Sequence, residues 1–175
     1  MSEQNNTNAQ KKIKPNFEEK MKEILSVETQ KSATDFVAYL RNNKMTLSWA
    51  GFKNAWKANC KGETICYVKL HNYENDGSYE NKKSLWVIYP CLNHINEYED
   101  TIINEGLQDI IWDNVFKCIN CRTPCNDQDK TILGKVCKNL CGTRQPIWFF
   151  DPNEETISCI ERLLNLEQTA RSKKI

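Results

Sequence analysis

Residues 56–70 read WKANCKGETICYVKL, and residues 84–90 read SLWVIYP. Lys61-Gly62 stands between two strand-like runs, the second rich in β-formers from Thr64 to Leu70, which is the pattern of a hairpin closed by a short turn. A polar stretch, HNYENDGSYENKK, with Asp76-Gly77 inside it, then leads to SLWVIYP, an apolar run closed by Pro90. That run adds a third antiparallel strand.

Outward from this meander the periodicity turns helical on both sides. On the N-terminal side Asn16 caps a helix with Glu19 three residues on, and Phe17, Met21, Ile24 and Leu25 recur at helical spacing. Ser32 with Asp35 starts a second helix carrying Ala33, Phe36, Val37 and Leu40, and RNNK at 41–44 ends it. On the C-terminal side Tyr98, Ile102 and Ile103 share a face before Gly106, and Leu107, Ile110, Ile111 and Val115 form a further short helix. PIWFF at 146–150 reads as a buried strand. Asp151 as N-cap, Pro152 in the first turn and Glu154 at N3 then start a final helix. Its inner face carries Ile157, Ile160, Leu163 and Leu164, and Arg171, Lys173 and Lys174 suit the negative end of its dipole.

The expected fold class is α+β: an antiparallel sheet of about four strands packed by N-terminal and C-terminal helices, with a Cys-rich metal-binding loop. Residues 1–15, polar and aperiodic, are expected to be a disordered tail, and 16–175 one domain with an insertion at 118–145. A chain of 175 residues buries roughly 70% of its unfolded surface, so it needs no disulfides to hold a core. The 24 Lys+Arg and 23 Asp+Glu leave a net charge of +1, so no global field draws it to nucleic acid or an acidic membrane. The first residues hold no apolar signal-peptide core, and no run of about 18 apolar residues occurs, so a cytoplasmic location is expected. Thiols stay reduced there, and nine cysteines then point to metal ligation or buried small side chains.

Five of those nine cluster in CINCRTPCNDQDKTILGKVCKNLC, residues 118–141: Cys118, Cys121, Cys125, Cys137 and Cys141. Short-gap thiol pairs on either side of a loop close a tetrahedral zinc site, for which four thiolates suffice. Cys118 and Cys121 form one pair and Cys137 and Cys141 the other, with Cys125 spare or replacing one of them. The segment is poor in large apolar residues, and structural zinc supplies the missing order. Lys117, Arg122, Lys130, Lys135, Lys138 and Arg144 around it offset the charge of a thiolate centre. An iron–sulfur cluster fits less well, because the spacing lacks the tight fourth ligand and following proline of the bacterial run. A redox pair at Cys118 and Cys121 would want a helix that begins at the first cysteine, whereas this one follows a helix. Free thiols in a partly ordered loop are the remaining reading.

Elsewhere the sequence is quieter. His71 and His94, the only histidines, each follow a strand and read as polar edge residues. No nucleophile elbow, zincin, Walker or dinucleotide pattern is present. Trp56, Trp86 and Trp148 fall on or beside strands and are the candidate lining of a pocket for a planar or apolar ligand, with core packing as the alternative. The acidic run Glu97, Glu99, Asp100, Glu105, Asp109 and Asp113 reads as a solvated face.

KGETICYVKL followed by SLWVIYP resembles the KGK-x-hydrophobic hairpin of the small YdhG-like domains, bacterial proteins of frataxin-like α+β fold; the likeness covers residues 33–116. It implies the fold more than an activity. Some members carry an iron-chaperone label, but the cysteine insertion departs from that pattern, so no iron role passes to the acidic helices and no catalytic residue is carried over. The expectation is a non-enzymatic, zinc-stabilised binding domain for a small molecule or protein. A zinc or iron carrier, and a thiol redox protein using Cys118 to Cys125, are the alternatives.

Overall fold

Asn16 opens the first helix as its spacing with Glu19 predicts. Its Oδ1 accepts the Glu19 N–H at 3.1 Å, and α1 (Phe17–Ile24) buries Phe17 and Met21. The structure, a computed structural model, describes residues 14–51, 54–70, 86–117 and 127–173. The expected tail up to residue 13, His71 and the polar stretch after it lie outside the described residues, as do Cys118, Cys121 and Cys125.

Helix α2 (Val27–Asn42) starts earlier than Ser32 suggests. Ser26 is its N-cap, with Oγ accepting the Thr29 N–H at 3.3 Å, and Ser32 lies inside the helix. Strands β1 (Thr46–Trp49), β2 (Ala55–Cys60), β3 (Glu63–Leu70) and β4 (Trp86–Pro90) follow. After a 3-10 turn and the short helices α3 (Glu99–Asn104) and α4 (Gln108–Asp113) come β5 (Asp127–Ile132), β6 (Lys135–Cys141), β7 (Phe149–Phe150) and α5 (Glu154–Ser172). The main sheet has five strands in the order β1-β2-β3-β4-β7, every pair antiparallel. The α+β class with helices at both ends therefore holds, with one strand more than the pattern predicts. The extra strand, β1, is too short for its alternation to stand out.

The predicted turn is where the sequence places it. Lys61 (φ 50°) and Gly62 (φ 87°) are both left-handed, the two-residue primed turn whose twist matches that of its strands. Leu133 (φ 49°) and Gly134 (φ 73°) repeat it between β5 and β6. Part of the expected cysteine loop is thus a β-hairpin, a separate two-stranded sheet.

One face of the main sheet is the core. Trp56, Val68, Ile88 and Phe149 are cross-strand neighbours on it, all nearly fully buried, and α2 and α5 cover them. Burying one such side chain stabilises the fold by about 1.5–3 kcal/mol. Trp56 also pins α1, since its Nε1 donates to the Pro15 carbonyl at 3.3 Å and its ring meets Phe17 edge-on at 5.1 Å. Helix α5 buries Ile157, Ile160, Leu163 and Leu164 as expected. Its N-cap is Asn153 rather than Asp151: Asn153 Oδ1 accepts the Thr156 N–H at 2.9 Å, while Asp151 Oδ1 accepts the Trp86 N–H at 2.9 Å and ties the helix entry to β4. Asn153→Ala is expected to lower stability by about 1 kcal/mol, read as a shifted urea midpoint at unchanged slope. Among the described residues no helix is long and apolar enough to cross a membrane.

Candidate functional site

Strand parity separates the tryptophans. Trp56 pairs with Val68 and Trp86 with Leu70, which puts both on the helix-covered face, 2% and 0% exposed. They are core side chains, which corrects the expectation that they form a ligand surface. Trp148 precedes Phe149 by one residue and so faces the other way.

On that outer face the side chains form a row. Lys57, Tyr67 and Tyr89 are cross-strand neighbours. Tyr67 stacks on Tyr89 at 5.3 Å, Tyr89 on Trp148 at 5.0 Å and Trp148 on Phe116 at 4.6 Å, with interplanar angles of 19°, 21° and 11°. Each aromatic contact adds about 0.5–1.5 kcal/mol beyond its buried area, so the row is a stiff platform. Phe116 reaches it because its N–H bonds to the Pro146 carbonyl at 2.7 Å, and the Trp148 N–H bonds to the Asn114 carbonyl at 2.9 Å.

Beside the row lies a cleft of about 460 Å³, walled by Tyr67, Tyr89 and Trp148 on one side and by Thr143, Arg144 and Gln145 on the other. Lys69 and Cys91 complete it. Trp148 Nε1 donates to the Gln145 carbonyl at 2.6 Å, joining the two walls. Burial pushes the Cys91 thiol up to about 11, against the pull of Arg171, so it is uncharged at neutral pH. Burial raises the thiols of Cys66 and Cys159 as well, so none of these is an activated nucleophile.

The thiol hairpin bears on the same wall, since Thr143 follows Cys141 by two residues. Cys137 pairs with Lys130 and Cys141 with Asp127. The register shifts between them, because Asn139 is left-handed (φ 58°) and bulges opposite Asp129, whose Oδ1 accepts its N–H at 3.2 Å. The partners Lys130 and Asp127 are three residues apart on β5, an odd step. Cys137 and Cys141 therefore lie on opposite faces of the ribbon, about 10 Å apart along it at ~3.3 Å per residue. Sulfurs on one zinc, each about 2.3 Å from the metal, cannot be more than about 4.6 Å apart. The bulge thus sets Cys137 and Cys141, the expected ligand pair, on opposite faces of the ribbon.

The register also locates the described ends of the segment between them. Lys117 bridges Leu140, and Asp127 pairs with Cys141, so the chain leaves the described structure at 117 and re-enters at 127 next to the same thiol. Cys118, Cys121 and Cys125 lie in that interval, outside the described residues. Cys141 is 7% exposed, with its Sγ 3.4 Å from Thr143 Oγ1. Among the described residues no three His, Cys, Asp or Glu side chains converge on a metal-sized point. In the acidic run, Glu105 accepts from Arg162 Nε at 2.8 Å, which holds its carboxyl below the usual range.

His94 belongs to a separate cluster at the end of α5. Glu167 is 0% exposed and accepts from His94 Nδ1 (2.8 Å), the His94 backbone N–H (3.1 Å), Tyr98 Oη (2.8 Å) and Arg171 Nε (2.8 Å). Arg171, expected to serve the helix dipole, is turned inward. Its other nitrogens donate to the Thr64 carbonyl at 3.1 Å and the Cys91 carbonyl at 2.9 Å, clamping α5 to the sheet. A cleft of about 220 Å³ beside it, reached by Cys60 and His94, is half the size of the aromatic one.

Compared with models of known families, with curated proteins and with solved structures, the chain matches none. Its own geometry carries the functional reading. Tyr67, Tyr89 and Phe116, which line or extend the outer row, are the residues that sequence reasoning misses. The signal for the first is the alternation Cys66, Tyr67, Val68, Lys69, Leu70, an amphipathic side chain at every second position.

Proposed function

We propose that this chain is a non-enzymatic binding domain that holds a small planar ligand against the outer aromatic row, with a structural zinc fixing the opposite wall. The stacked row beside a 460 Å³ cleft carries this reading, since pockets of about 300–1,000 Å³ with aromatic walls and few polar groups are typical of small-molecule sites. The zinc is assigned to Cys118, Cys121, Cys125 and Cys141, with Cys137 outside the set. Two facts support that choice: the bulge sends Cys137 to the other face, and residues 117 and 127 both abut the end of β6. Four thiolates satisfy a closed tetrahedral site, and the metal would supply order rather than chemistry. From Cys141 the chain reaches Thr143, Arg144 and Gln145 at once, so holding that thiol holds the wall.

Titration of the protein with 2-naphthol, followed by tryptophan quenching, tests the ligand face. Saturable binding is expected, weakened roughly five- to tenfold by Tyr67→Ala, which removes one stacking ring worth about 1 kcal/mol or slightly more. Tyr67 is half-buried at the end of the row, and an unchanged circular dichroism spectrum would show that the variant folds. Absence of saturable binding to the wild type would sink the reading.

A further inference from the structure

We propose that Asn93 is a positioning residue for the ligand cleft: presented by a short strap that Glu167 anchors to α5, its side chain holds Gln145 of one wall against the aromatic row. This rests on the reading of that row as a ligand face and adds what sets the width of the cleft beside it. Gln145 is gripped by main chain and side chain alike. Its carbonyl accepts from Trp148 Nε1 at 2.6 Å, and its Nε2 donates to Asn93 Oδ1 at 3.3 Å. The second contact spans 52 residues and joins the segment after the thiol hairpin to the connection after β4.

The strap is residues 91–94. The Cys91 N–H donates to the Ile65 carbonyl at 2.8 Å, and the Cys91 carbonyl accepts from Arg171 Nη2 at 2.9 Å. Leu92 is buried in the core. His94 bonds twice to Glu167, through its backbone N–H at 3.1 Å and its Nδ1 at 2.8 Å. Asn93 is itself exposed but stands between fixed neighbours, so holding Gln145 orders little beyond the two side chains. A hydrogen bond between such side chains contributes little to folding, because water replaces it in the unfolded chain. In a cleft its effect is larger, since a wall already in place spares the ligand the work of ordering it. The α5 clamp thereby reaches the ligand face: Cys91, held by Arg171, lines the cleft, and Asn93, beside the Glu167-bound His94, holds its wall.

The experiment titrates 2-naphthol into wild type, Asn93→Ala, Asn93→Asp, Gln145→Ala and Asn93→Ala/Gln145→Ala, with tryptophan quenching as the readout. Asn93→Ala should bind roughly three- to tenfold more weakly, the effect of one hydrogen bond. Its urea midpoint should stay at the wild-type value, because the residue is exposed. Asn93→Asp keeps an acceptor for Gln145 Nε2 and should bind within about twofold of wild type. In the Gln145→Ala background Asn93→Ala should have no further effect, as expected of two residues acting through one contact. Glu167→Gln at neutral pH should weaken binding in the wild type and not in Asn93→Ala. Wild-type affinity in Asn93→Ala, no rescue by Asn93→Asp, or losses that add in the double variant would overturn the positioning role and leave the aromatic face intact. Equal loss from Glu167→Gln with and without Asn93 would overturn the anchoring of the strap. Absence of saturable binding to wild type would instead defeat the ligand face itself.

Discussion

Serine at Cys141 is expected to strip the protein of zinc and of order in the β5–β6 hairpin, whereas serine at Cys137 leaves both unchanged. The two residues share a strand, a residue type and a three-residue gap, so the contrast isolates the effect of the Asn139 bulge. Structural zinc binding is worth about 10–16 kcal/mol in small finger domains, and deleting one thiolate of a closed set removes much of it. Elemental analysis of untagged protein should give one zinc per chain for wild type and Cys137→Ser, and a small fraction of that for Cys141→Ser. Limited proteolysis should open the 127–141 region in the metal-free forms alone. Loss of zinc from Cys137→Ser as complete as from Cys141→Ser would show that both thiols reach one metal and that the register is not as described. No metal in any form would end the zinc assignment. The same experiment couples the two halves of the site: chelation should weaken 2-naphthol binding, because the wall at Thr143 to Gln145 follows Cys141 directly in the chain and meets Trp148 through the Gln145 carbonyl.

How much of this was legible depends on whether a feature is local. Lys61-Gly62 could be read because a two-residue turn needs a left-handed glycine and strand-like flanks, both present within a few residues. Leu133-Gly134 carries the same signal, but Thr131-Ile132 and Lys135-Val136 are short flanks inside a run dominated by thiol spacing, so the hairpin reads as loop. The face of a tryptophan is not local at all. Trp56 and Trp148 point to opposite sides because of pairings between β2, β3, β4 and β7, which run from Trp56 through Val68 and Ile88 to Phe149, the neighbour of Trp148. The placing of Cys137 and Cys141 on opposite faces likewise turns on one bulged residue, which spacing cannot reveal. The α5 cap moved by two residues because Asp151 serves β4 instead, a tertiary role that overrides its local preference.

Glu167→Ala is expected to be the most destabilising single change on α5, by about 3–5 kcal/mol, since it takes from the inward-turned Arg171 its buried carboxylate and leaves it only the exposed Glu63 as a charge partner. A chain of this length loses roughly 2–4 °C of melting temperature per kcal/mol, so a drop of about 10 °C is the scale to look for. A charged residue in line with Ile160, Leu163 and Leu164 looks like a defect in the apolar stripe until its four donors are counted. Burial alone would raise the carboxyl, but His94, Arg171 and Tyr98 outweigh it and hold it below an ordinary glutamate at 4.5. The folded state therefore takes up this proton at lower pH than the unfolded chain. Its contribution is complete above 4.5 and is lost as pH falls through the folded-state value. Urea midpoints measured downward from about pH 5 should fall for the wild type and fall less steeply for Glu167→Gln, which is uncharged throughout. Glu167→Gln should also be milder than Glu167→Ala at neutral pH, because the amide oxygen still accepts from some of the donors while its NH₂ opposes the rest. An acid limb equally steep in wild type and Glu167→Gln would place the acid sensitivity on other carboxylates and show that the charge of Glu167 adds little to the clamp that Arg171 makes with Glu63 and the Thr64 and Cys91 carbonyls.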